Sequence, residues 1–78
     1  MSFLETLRSA SKCHNVRSIP NGFEIRAADD SEECRHSFHA LVAEAIERAS
    51  NEHYEITPHR SAIDPKGRYD SAVITFRE

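Results

Sequence analysis

The sequence has no tryptophan, two glycines, two cysteines and three prolines in 78 residues. Leu, Ile, Val and Phe together number only 16, about 21%, barely above the roughly 20% below which charged chains stay disordered. Each shortage excludes something. Two glycines, Gly22 and Gly67, each in a turn-like setting, cannot build a phosphate-cradling loop or a nucleophile elbow. Two cysteines, Cys13 and Cys34, form no Cys-x-x-Cys pair, so the common zinc frameworks are missing. The N-terminal Met-Ser-Phe-Leu-Glu-Thr-Leu-Arg meets an acid at position 5 and never gathers an apolar run. It reads as neither a secretory leader nor a membrane span. Free, buried thiols in a reducing cytoplasm are therefore expected rather than a disulfide.

Ten basic against thirteen acidic residues give a net charge of −3, too balanced for the self-repulsion of a disordered chain. The length suits one α+β domain over residues 1–78. For a chain this small, apolar burial roughly cancels ordering entropy, so a staple or a partner has to supply the margin.

Ser2 and Glu5 are spaced as a capping box, and Phe3, Leu4, Leu7 and Ala10 share one face, predicting a short helix to about Cys13. Asn15–Ile19 and Phe23–Ala27 flank Pro20-Asn21-Gly22 and read as a hairpin. The acidic run from Asp29 to Glu33, with Asp30 and Glu33 as capping pair, starts the principal helix. Its Cys34, Phe38, Leu41, Val42, Ala45, Ile46 and Ala49 span an arc of about 140°. The helix is expected to end near Ser50-Asn51, with Asn as the left-handed cap.

A second hairpin follows, turning at Asp64-Pro65-Lys66-Gly67. Its best register sets Ile56 opposite Ile74, Tyr54 opposite Phe76, Pro58 opposite Ala72 and Arg60 opposite Asp70. Pro58 implies an edge strand or a bulge. The order α-β-β-α-β-β predicts a four-stranded antiparallel sheet with the long helix on one face and the short N-terminal helix at an edge. Of the large apolar residues, Ile63 and Val73 alone fall outside the expected core.

Chemistry is sparse. His36 and His39, one turn apart, with Glu32 four residues before His36 and Cys13-His14 upstream, are weak metal candidates; Cys34 lies about 140° from His39 around the helix, and neither a metal nor another cofactor is expected. Protonating all five histidines would carry the formal charge from −3 to +2, which makes pH-dependent self-association an expectation. Arg17, Arg26, Arg60, Lys66, Arg68 and Arg77 all lie on the hairpins, but interleaved acids such as Glu24 and Glu55 break any basic stripe for nucleic acid. No catalytic constellation emerges, and a core this thin has little room for a pocket.

Protein binding remains, through an edge strand or the uncovered sheet face, with a second copy as one partner. Arg60, Arg68, Tyr69 and Val73 are the candidate contacts. In element order the chain resembles the small α+β inhibitors that phages and other mobile elements encode, anti-CRISPR proteins among them. That resemblance implies a non-catalytic module that blocks a host complex. The alternative is a nucleic-acid-binding or metal-binding accessory protein.

Overall fold

The computed structural model describes residues 3–77, so Ser2 of the expected capping box lies outside the described residues. Helix α1 spans Phe3–Arg8, α2 spans Glu32–Glu52, and the strands are β1 His14–Ile19, β2 Gly22–Ala27, β3 Tyr54–Arg60 and β4 Tyr69–Phe76. The α-β-β-α-β-β order and the antiparallel sheet are as predicted. The strands lie in the order β1-β2-β4-β3, so the two hairpins join through β2 and β4 at the centre.

Ser31, rather than Asp30, caps α2. Its φ of −62° and ψ of 150° are extended, and its hydroxyl accepts from the Cys34 N–H at 3.3 Å. Asp29 in turn accepts from the Ser31 N–H at 2.7 Å, while Glu32 and Glu33 set carboxylates on the positive end of the helix. The helix runs past Asn51 to a left-handed cap at His53, φ 60°, whose N–H donates to the Ala49 carbonyl. The next residue explains the extension. Tyr54 is fully buried and its hydroxyl donates to the Ala45 carbonyl at 2.6 Å, so the chain must turn where that ring can drop into the core. Glu52 in the last turn also accepts the Leu4 N–H at 3.1 Å, fastening α1.

The buried face of α2 is Cys34, Phe38, Val42 and Ala45. It packs on Phe23, Ile25, Ala72 and Ile74 of β2 and β4, with Leu7 from α1 closing the cluster. Ile46, at the margin of the predicted arc, is 38% exposed, and Phe76 is 39% exposed. Ile63 is 90% exposed, as its place in the turn implied. Ile19 corrects the expected core list: pairing with Gly22 places it on the opposite face from Val16, Phe23 and Ile25.

The first hairpin is unbroken from His14↔Ala27 to Ile19↔Gly22. Asn21 takes φ 65° after a proline, as a type II turn requires. Gly22 is obligatory for a different reason: a Cβ there would lie 1.9 Å from the Ile74 carbonyl oxygen. The second hairpin has the predicted register at Tyr54↔Phe76, Ile56↔Ile74 and Pro58↔Ala72. Between His59 and Arg60 the register shifts, so Arg60 faces Tyr69 rather than Asp70. β3 is indeed an edge strand, and Pro58, with the register shift that leaves Asp70 of β4 unpaired, blunts that edge.

Two expectations fail near the N-terminus. The first helix stops at Arg8, because Ser9, Ser11 and Lys12 offer little to bury and the chain turns instead. The Ser11 N–H donates to the His14 carbonyl at 2.9 Å. The cysteines are not free thiols: Cys13 and Cys34 are joined, 21 residues apart in sequence and 4.9 Å between Cα atoms. Closing a loop of that size stabilises the fold by about 3 kcal/mol in the chain-entropy picture. This is the staple that the thin core called for.

Candidate functional site

Helix α2 covers one face of the sheet and leaves the other open. Register places three rows across the four strands on that open face: Ile19, Gly22, Thr75 and Glu55; Arg17, Glu24, Val73 and Thr57; Asn15, Arg26, Ser71 and His59. The middle row holds the chemistry. Val73 is half-buried between Glu24 and Thr57. Glu24 receives Arg17 at 3.1 Å and Arg26 at 3.2 Å, and Arg77 reaches Glu55 at 3.6 Å. The face thus has a short aliphatic and threonine centre within a border of arginine and glutamate.

The four candidate contacts do not meet in one patch. Val73 lies on the open face. Arg60 and Tyr69 lie on the helix side at the bulged end of β3, where the Tyr69 ring stacks on His39 with centroids 4.8 Å apart. The Arg60 guanidinium sits 4.6 Å over that ring and also donates to the Gly67 carbonyl. Arg68 departs furthest from expectation, because it is 8% exposed. Its guanidinium grips both oxygens of Glu32, at 2.7 and 3.0 Å, and one of Asp64, at 3.0 Å. Arg35 bonds the same Asp64 oxygen at 3.0 Å, and Lys66 adds a contact to Glu32 at 3.3 Å. Arg68 therefore ties the connection between β3 and β4 to the first turn of α2.

The network shapes its own titration. Hydrogen bonds from Arg68 and Lys66 lower the Glu32 pKa to about 2. Asp64 also falls to about 2, chiefly through the Lys66 backbone N–H, with Arg35 and Arg68 adding to it. The Arg68 pKa moves up, led by its hydrogen bonds to Glu32.

The metal candidates do not converge on one site. His39 Nδ1 accepts the Tyr69 N–H at 3.2 Å, His36 is exposed, and both cysteine sulfurs are spent on each other. Among the described residues, no group of three or more His, Cys, Asp or Glu side chains is placed to hold a metal ion. Nor is any helix among them long and apolar enough to cross a membrane.

His14, grouped with Cys13 among the metal candidates, has a different place in the structure. It is 3% exposed, and its Nε2 faces the Leu7 carbonyl at 3.3 Å while Nδ1 meets the Ser11 hydroxyl at 2.6 Å. A carbonyl can only accept, so Nε2 carries the proton, and a neutral ring then accepts at Nδ1 from Ser11. Burial pushes the pKa of His14 down, which favours that neutral form. The Ser11 hydroxyl also accepts the Cys13 N–H at 3.3 Å, so the pair closes a turn that ties α1 to β1. Beside it, between α1, residues 9–13 and α2, runs a groove of about 650 Å³ with Ala10, Phe38 and Leu41 in its walls and Cys13 and His14 at one side.

These features define a small α+β domain with a helix-covered sheet, one open sheet face and a single staple. No family model, curated protein or solved structure matches the chain.

Proposed function

We propose that the chain is a non-catalytic interaction module that binds another protein through the open face of its sheet, and that it acts by occupying its partner's surface. The observation that carries this reading is the Arg17–Glu24–Val73–Thr57 row, with Ile19 and Thr75 beside it. A small apolar centre inside a polar border is the arrangement from which protein interfaces draw their energy. Alternation of Arg17, Arg26 and Arg77 with Glu24 and Glu55 suits a mixed-charge protein surface better than a phosphate backbone. The likeness in element order to phage-encoded inhibitors agrees with a blocking role.

The test is affinity capture from the source cell with immobilised wild type, Val73→Glu and, as a control, Ile63→Glu. The expected result is a protein retained by wild type and by the Ile63 variant and lost at least tenfold with Val73→Glu, whose melting temperature stays within a few degrees. A retained protein indifferent to Val73→Glu but lost with Arg60→Glu or Tyr69→Ala would move the site to the bulged hairpin end and reject the open face. Retention of nucleic acid in place of protein would reject the reading altogether.

A further inference from the structure

The Cys13–Cys34 bond has two unlike ends. Cys34 is 4% exposed, in the first turn of α2 and beneath the Ser31 cap. Cys13 is only partly buried and lines the 650 Å³ groove, next to the exposed Ser11 and Lys12. A small molecule entering the groove therefore meets Cys13 and not Cys34. We propose that this bond is a thiol-exchange site, opened in the native protein by low-molecular-weight thiols that enter the groove and attack Cys13.

The step balances without a further reagent. The incoming thiolate forms a new S–S bond to Cys13 Sγ, the Cys13–Cys34 bond breaks, and Cys34 leaves as thiolate in the first turn of α2, where it takes up a proton. A second thiol attacking the mixed disulfide yields the small disulfide and reduced Cys13. Opposite attack, on Cys34, requires displacing the packing around the helix start.

Neighbouring contacts hold both helices and the sheet when the bond opens. Helix α2 keeps its own cap at Ser31 and Asp29. Helix α1 keeps the buried Leu7 and the Leu4–Glu52 hydrogen bond, and Cys13 keeps the Ala28 N–H on its carbonyl at 2.9 Å. Among the described residues no hydrogen bond or ion pair joins residues 9–13 to α2, so the disulfide is what fastens this wall of the groove there, and thiol exchange alters the groove before it alters the sheet.

The experiment incubates the oxidised full-length chain with reduced glutathione, quenches with acid and maps the adduct by mass spectrometry, over a range of urea below the unfolding transition. Expected are a glutathione adduct on Cys13 with Cys34 as free thiol, and a rate that changes less than twofold across that range. An adduct on Cys34, or a rate that climbs with urea along the full slope of global unfolding, would overturn the proposal. The single variants give an independent reading under native conditions. Cys34→Ser should take up glutathione from its disulfide at Cys13 at least tenfold faster than Cys13→Ser does at Cys34, and equal rates would sink it.

Discussion

The two hairpins of this molecule are closed by different physics. Between β1 and β2 the chain reverses over Pro20 and Asn21, every pair is in register, and Asn21 supplies the one left-handed residue. Between β3 and β4 it takes eight residues, 61–68, and passes a bulge at His59/Arg60. That connection holds its shape through Arg68 and Asp64, whose partners Glu32 and Arg35 lie on α2. The first turn is local chemistry. The second is tertiary, because about 30 residues of chain separate its anchors. Such a difference makes the hairpins separable by experiment.

The largest effect is expected at Gly22, where the first hairpin presses against β4. Gly22→Ala forces a Cβ onto the Ile74 carbonyl and should cost about 3 kcal/mol in urea unfolding. A cost below about 1 kcal/mol would mean that β2 and β4 do not approach so closely. Next comes Asp64→Asn, which leaves the buried Arg68 and the adjacent Arg35 without their shared carboxylate. Amide exchange should accelerate across residues 61–68 and in the first turn of α2, while the amides paired between β1 and β2 keep their protection. Uniform acceleration would show that the hairpins are not separable.

Acid should distinguish them too. His14 is held below its ordinary 6.5 in the fold, so the unfolded chain binds the extra proton and stability declines as pH falls below about 6.5. Glu32 and Asp64 are depressed to about 2 from ordinary values of 4.5 and 3.8. Their contribution is full above the ordinary values and is lost as pH falls from there toward 2. Stability measured from pH 8 to 2 should therefore fall in two stages, and His14→Gln should remove the upper stage alone. A single stage, unaffected by that variant, would contradict the buried neutral imidazole. The smallest effect is expected at the tight turn. Asn21→Val should cost about 1 kcal/mol for placing a β-branched residue at positive φ, Asn21→Gly should be nearly neutral, and thermal melts would resolve the pair.

Much of the fold was legible because it rests on neighbours in sequence. Helical periodicity from Cys34 to Ala49, the Pro20-Asn21 turn, and the alternation that pairs Ile56 with Ile74 all depend on contacts a few residues apart or across one reversal. The misses share a cause as well. Asn51 carries the ordinary cap signal, yet the helix runs on to His53 because Tyr54 has to reach the core. Arg60 was set against Asp70 because alternation has no way to register a bulge. Of the candidate contacts, Val73 could be placed on the open face from strand parity alone. Arg68 reads as a surface cation because its partner Glu32 is 36 residues away, and His14 reads as a metal candidate beside Cys13 because nothing local shows that Leu7 and Ser11 will enclose it.

Sequence by itself determined the order of the elements, the buried face of the long helix and the pairing of the second hairpin up to its bulge, since those follow from backbone propensity and side-chain spacing over a few residues. Only tertiary structure decided the strand order, the burial of Arg68 and the joining of Cys13 to Cys34. Each brings together groups far apart along the chain, whose meeting depends on how the long helix lies across the sheet.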